Sequence, residues 1–225
     1  MTQLWSRIIL GSTSIYVMVP VIFIFLDKTS ITSVYFSNLL ASILTITTII
    51  SLVNWFHLNH YNPYLFYDRV FANFSLGLMV INCFSETNYK NAYYLLSFLL
   101  MSCLCFCISC CFTDYIIDSI RKINLLNNIY FKYNRYFKPN RYLSVLFHIL
   151  FRYFAFLFTS LSTQYNCDYI LSFSIKYFTS IAFLIPLNKF VNNDNYHIMY
   201  FLTTIYFILT TIMYVIISGI LDSNL

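Results

Sequence analysis

Residues 198–220 read IMYFLTTIYFILTTIMYVIISGI, with no Asp, Glu, Lys or Arg among them. A helix needs roughly 20 mostly apolar residues to cross the hydrocarbon of a bilayer, and this run meets that requirement. It lacks the period-2 alternation of a barrel strand, and an open strand cannot satisfy its backbone in lipid, so the reading is a helix. Six further runs of the same kind lie upstream, over approximately 8–26, 32–55, 69–85, 92–113, 142–162 and 169–188. The 69–85 run is the shortest and holds Asn73 and Asn82; the 169–188 run carries Lys176 and the helix breaker Pro186. The connections are short and no internal repeat is visible. The expectation is therefore one domain over residues 1–225, an all-α polytopic bundle of seven transmembrane helices. The first run is long enough to span and has no small-x-small cleavage site, so it reads as a signal anchor.

Composition agrees with the runs. Hydrophobic residues make up 60% of the 225, charged residues only 9%, and mean hydropathy is +0.70. Soluble domains carry about 25% charged residues, and disorder needs low hydrophobicity with high net charge, so both classes are excluded. Aromatic content is 21%, and Ile and Asn are also frequent. That joint excess is the mark of an AT-rich coding sequence, and aromatic or Asn motifs are weighed against it. The net charge of +5 is too small on this background to point to nucleic acid.

Lysine and arginine set the expected orientation. Seven spans place the N-terminus and the 2–3, 4–5 and 6–7 connections on one side, which then holds Arg7, Arg69, Arg121, Lys122, Lys132, Arg135, Lys138, Arg141 and Lys189. The opposite side holds Lys28 and Lys90. The N-terminus is expected in the cytoplasm and the C-terminus outside or in a lumen. The longest polar segment, 118–141, reads DSIRKINLLNNIYFKYNRYFKPNR, with Tyr and Phe interleaved among six of the 13 basic residues. Its composition suits a segment lying at the membrane surface, with Arg121, Lys122, Lys132, Arg135, Lys138 and Arg141 toward anionic lipid.

Five cysteines crowd together: Cys103, Cys105, Cys107, Cys110 and Cys111. Zinc ribbons place paired C-x-x-C in polar loops, whereas these lie in an apolar helix, where Cys serves as a small packing residue in place of the scarce Gly and Ala. On a helix, Cys103, Cys107, Cys110 and Cys111 share a face and Cys105 does not.

Ionisable groups within or at the edge of spans are costly and often functional. His57 and His60 end the second run, His197 opens the seventh, and His148 lies in the first third of the fifth. Tracing the chain up and down puts all four on the same side, with Asp68, Asp114, Asp118, Asn193 and Asp194. Imidazoles and carboxylates gathered at one membrane face can hold a divalent metal, relay protons, or simply be solvated by headgroups.

Phe56-His57 is followed by Asp68, and the seventh run opens Tyr196-His197-Ile198. Seven spans with these elements resemble the CREST superfamily of membrane hydrolases, which includes alkaline ceramidases, Per1-like proteins and the progestin and adipoQ receptors. The resemblance implies a zinc site hydrolysing a lipid amide, with metal-generated hydroxide as nucleophile. It implies His57 and His197 as zinc ligands and Asp68 as the catalytic carboxylate orienting water; three protein ligands are usual at a catalytic zinc, and His60 or Asp194 could supply the third. Two positions depart from the family pattern. The residue four before His57 is Val53 rather than Ser, and the H-x-x-x-H pair is broken, with Asn193 or Phe201 in the other place. In a second register, Ser51-x-x-x-Trp55 has the Ser spacing with Trp in the place of His. The phrase Ser51, Trp55, Asn62, Pro63, Asp68, Ala72 is similar to uncharacterised multi-span proteins of large DNA viruses. That register implies a CREST-type scaffold without its metal site. Three function classes follow: a CREST-like protein, non-catalytic or a zinc-dependent lipid amidase; a transporter lined by Lys176, Asn73 and Asn82; and a structural membrane protein recruiting partners or anionic lipid through 118–141.

Overall fold

The helix expected over 198–220 runs from Tyr196 to Ser223 and is the last of seven helical rods among the described residues. The computed structural model of the chain describes residues 3–26, 34–57, 64–86, 89–112, 140–163 and 167–223. The first rod is α1 (Gln3–Ser12), a 3₁₀ turn η1 (Thr13–Val17) and α2 (Met18–Phe25). Then follow α3 (Val34–Phe56), α4 (Tyr64–Glu86), α5 (Tyr89–Cys111), α6 (Arg141–Thr163), α7 (Cys167–Leu184) with a 3₁₀ extension η2 (Ile185–Phe190), and α8 (Tyr196–Ser223). No strand occurs among the described residues. Each rod overlays one of the seven apolar runs. Five of them are long and apolar enough to cross a membrane: Leu4–Phe25, Tyr35–Phe56, Tyr142–Ser162, Ile170–Phe190 and Tyr196–Ile216. The expectation of seven spans is met at that level by five. In α5 the apolar stretch is shorter, Tyr93–Ser109, and α4 carries Asp68, Arg69, Asn73, Asn82 and Glu86 within its length. Residues 118–139 lie outside the described residues, and Arg141 opens α6.

Both 3₁₀ segments sit beside a proline. A proline ring crowds the carbonyl four residues back and donates no N–H. Pro186 does this where α7 gives way to η2. Pro20 does the same to Tyr16, the penultimate residue of η1. Hydroxyls add to the distortion of the first rod. Thr13 Oγ1 donates to the Ile9 carbonyl at 2.8 Å and Ser14 Oγ to the Leu10 carbonyl at 3.3 Å; such back-bonding bends helices.

The first rod is the axis of the bundle. Trp5, Ile8, Ile9, Tyr16, Val19 and Phe23 are all buried to 2% exposure or less, and it packs against α3, α6 and α8. The outer helices show the reverse of a soluble protein. Leu39, Ile49, Phe74, Leu100, Leu171, Phe183, Phe201 and Leu209 face outward, while Thr47, Ser51, Asn54, Ser75, Asn82, Ser102, Ser109 and Thr203 are buried. An apolar exterior around a polar-flecked interior suits lipid, where hydroxyl and amide bonds join helices instead of a hydrophobic drive. Thr47 and Ser75 hydroxyls meet at 2.7 Å between α3 and α4; Asn82 Nδ2 donates to the Ser162 carbonyl at 2.6 Å between α4 and α6; Ser109 Oγ donates to the Ser144 carbonyl at 2.8 Å between α5 and α6.

The cysteines divide as the helix wheel requires, but the packing role falls on the odd one. Cys105 is buried beside Ser102 and Ser109, on the face of α5 that meets α6, whereas Cys103 and Cys107 are exposed. Packing by small residues therefore holds for Ser102, Cys105 and Ser109 and not for Cys103 and Cys107; the side chains of Cys110 and Cys111 lie outside the described ones.

Candidate functional site: a buried arginine network at one end of the bundle

The chain reverses direction at each connection, so one end gathers the start of α1, the end of α3, and the starts of α4, α6 and α8. The end of α3 shows how tightly these elements meet there. A helix C-terminus leaves its last carbonyls without intrahelical donors. Tyr196 Oη donates to the Trp55 carbonyl at 2.7 Å, Tyr200 Oη to the Leu52 carbonyl at 2.8 Å, and Arg7 Nη1 to the His57 carbonyl. The Arg7 cation also complements the negative end of the α3 dipole. Tyr200 reaches α3 by crossing α1 at Gly11, where an added Cβ would lie 2.7 Å from two carbons of the Tyr200 ring.

Inside this end sits Arg152, halfway along α6 and only 7% exposed. Its Nη1 donates to Thr13 Oγ1 and to Ser14 Oγ, both at 2.9 Å, and Nη2 donates to Ser51 Oγ at 3.3 Å. Ser14 and Ser51 hydroxyls are 2.9 Å apart. The guanidinium carbon lies 5.8 Å from the centroid of Trp55, within cation–π range. Helical side chains lean toward the helix N-terminus, so Arg152 leans toward the Arg7 end rather than the middle of the bundle. The distorted turn of the first rod presents Thr13 and Ser14 together, one after the other, to the same guanidinium.

The opposing charge is Asp68, in the second turn of α4 and half-buried. Its Oδ2 accepts from Asn54 Nδ2 at 2.9 Å, Ser51 lies within reach of the same carboxylate, and Asp68 and Arg152 attract each other electrostatically. A lone charge in this environment is costly, so an arginine and an aspartate persist there because each neutralises the other and hydroxyls fill the remaining donor sites. The arrangement can hold a fixed positive charge and fasten α1, α3, α4 and α6 together. The guanidinium donates hydrogen bonds but does no acid–base work, because it stays protonated in proteins.

The expected metal ligands fall around this network. His57 stacks on Tyr64 at 5.0 Å with 8° between the ring planes, and His197, exposed at the start of α8, lies 4.7 Å from Phe56. His148 meets Trp55 edge-on at 5.9 Å. Three of the four histidines and Asp68 thus share one end of the bundle; His60 lies outside the described residues, as do Arg121, Lys122, Lys132, Arg135 and Lys138. Among the described residues no group of three or more His, Cys, Asp and Glu is arranged to hold a metal ion. Of the residues suggested for a transporter path, Asn73 is exposed on α4, Asn82 is buried against α6, and Lys176 stands half-buried on α7.

Arg152 escaped the reading of the sequence. The signal was present: a basic residue in the middle of an apolar run, flanked by no other charge from 142 to 162. Its hydroxyl partners on α1 and α3 left no such trace, since Ser and Thr are unremarkable in membrane helices. Comparison with protein families, with curated proteins and with solved structures finds no match for this chain.

Proposed function

We propose that the chain is a non-catalytic, multi-pass membrane protein on a CREST-type scaffold, with Arg152 as the fixed cation of its polar core. The observation that carries this reading is the position of the guanidinium among Thr13, Ser14 and Ser51, against Trp55 and facing Asp68. In the second register of the resemblance, Ser51, Trp55 and Asp68 stand where the hydrolases carry Ser, His and Asp. Here those three side chains surround an arginine. A catalytic metal supplies a Lewis acid and a bound water of lowered pKa; a guanidinium supplies charge alone. Asp68, engaged by Asn54 and Arg152, serves as a counter-ion rather than as the residue that orients water. The Lys and Arg bias of the connections supports a cytoplasmic position for the Arg7 end.

The test is the metal content and lipid amidase activity of detergent-purified protein, beside Arg152→Leu and His57→Ala/His197→Ala. The proposal expects no stoichiometric zinc, no ceramide-type amide hydrolysis, and a fold that depends on Arg152. About one zinc per chain, lost in the double histidine variant, overturns it in favour of the hydrolase reading with His57, His197 and His60 as ligands and Asp68 as the catalytic carboxylate.

A further inference from the structure

We infer that two copies of this chain associate through the outward face of α4, with their Asn73 amides hydrogen-bonded to each other and the backbones brought together at Gly77. α4 has two unlike sides. Asp68, Ser75, Leu78, Met79 and Asn82 turn toward the bundle, half-buried or buried. Phe66, Val70, Asn73, Gly77 and Ile81 recur at three- and four-residue steps along the opposite side and are all exposed. That side is the one the Arg152 network does not use, so the inference is independent of what the network does.

The depth of Asn73 follows from the contacts of α4 with α3. Asp68 is bonded to Asn54, three residues before His57, near the level where Arg7 meets the His57 carbonyl and His197 lies beside Phe56. Farther in, Thr47 Oγ1 lies 2.7 Å from Ser75 Oγ and 3.3 Å from the Phe71 carbonyl. Asn73 stands between those two residues, about 12 Å below the level of His57 at 1.5 Å per residue, and α4 runs about 20 Å further to Glu86. An amide at that depth has no water to bond. Outward hydroxyls elsewhere in the bundle turn back to carbonyls of their own helix, Ser42 to Asn38, Ser97 to Tyr94 and Thr179 to Ile175. The Asn73 amide has no partner among the described residues. Gly77, one turn on, is equally unused within the chain: a Cβ there would meet nothing within 4 Å, whereas the space at Gly11 is filled by Tyr200. A glycine inside a helix weakens it, and in lipid it lets a second helix come close. Copies inserted with one orientation are related by a two-fold axis along the membrane normal, so their α4 helices run parallel and a residue at the crossing opposes its own counterpart. A lysine or an aspartate there would repel its counterpart. An amide both donates and accepts, so two Asn73 side chains satisfy each other, with Phe66, Val70 and Ile81 packed along the seam.

The test is resonance energy transfer between copies of the full chain carrying a donor or an acceptor at the C-terminus, mixed in phosphatidylcholine liposomes and diluted with lipid, beside a thermal melt at the highest dilution. Asn73→Leu removes the amide, Asn73→Gln keeps one, and Gly77→Leu fills the gap beside the backbone. The expected result is transfer that falls on dilution as a monomer–dimer equilibrium, with the dimer dissociation constant about tenfold higher in Asn73→Leu and in Gly77→Leu and Asn73→Gln close to wild type. The dilute variants should melt no lower than wild type, because neither position is packed inside the chain. A wild type that stays monomeric at high protein density overturns the inference. So does a dimer as strong in Asn73→Leu and Gly77→Leu as in wild type, which would place the contact on another face. A dilute melt lowered by Asn73→Leu overturns it as well, since the amide would then be bonded within one chain.

Discussion

Arg152 and Gly11 are the two residues whose replacement tells most about this protein. Removing one partner of a buried charge pair leaves the other uncompensated, so Arg152→Leu is expected to cost about 3–5 kcal/mol. Replacing Asp68 by Leu in the same background is expected to recover part of that loss, because no isolated charge then remains. Reversible unfolding of the two single variants and the double variant in mild detergent gives the coupling; additive losses would mean the pair does not interact. Gly11→Ala places a methyl group against the Tyr200 ring. Overpacking of this kind typically costs about 1–3 kcal/mol, and here it also threatens the Tyr200–Leu52 hydrogen bond. The sign is checked by Gly11→Ala in a Tyr200→Leu background, where the methyl group should become nearly neutral. Arg152 leaves a trace in the sequence, a charge inside a span, but none of the sequence-based expectations singles it out. Gly11 was not, because the need for a missing Cβ arises only where α8 crosses α1.

At the scale of the element, helix contacts in this bundle are made by hydroxyl, amide and small side chains on one face, with large apolar side chains on the other. Asn82 is buried on α4 and its amide reaches a carbonyl in the last turn of α6. Asn82→Leu is expected to lose about 1–2 kcal/mol, the worth of a buried hydrogen bond whose acceptor is left unmade. A measured change below a few tenths would show that the Ser162 carbonyl finds another donor. The faces of α5 make a second prediction. Cys105→Phe, which overpacks the contact with α6, is expected to cost about 1–3 kcal/mol in a thermal or denaturant melt, while Cys103→Phe and Cys107→Phe on the outward face should be nearly neutral. Equal losses at all three positions would mean that α5 does not hold this rotation. The sequence placed the helix and its cysteine stripe within a few residues. It did not say which side of the stripe met a neighbour, since α5 is apolar all round and its rotation is set by Ser102 and Ser109 finding carbonyls on α6.

For the whole molecule, the first rod is the organising feature. It lies at the centre, and α3, α6 and α8 supply the donors and acceptors that hold it. Truncation of residues 1–12 is therefore expected to abolish the cooperative unfolding transition rather than trim a terminus, which calorimetry or a fluorescence melt would detect; a protein with an unchanged midpoint would remove the first rod from the core. What the sequence determined by itself was the material and the number of rods: long apolar runs without the alternation of a barrel strand can only be helices in lipid, because an open strand leaves its backbone unsatisfied there. It also placed His57, Asp68, His148 and His197 at one end, since alternating direction fixes which helix ends meet. What only the tertiary structure decided was which polar groups touch. Arg152, Thr13, Ser14, Ser51 and Asp68 are far apart in sequence, and their meeting depends on helix rotation, on the Pro20-linked distortion of the first rod and on the gap left at Gly11. Rotation and close approach are properties of pairs of helices, and no single run of residues carries them.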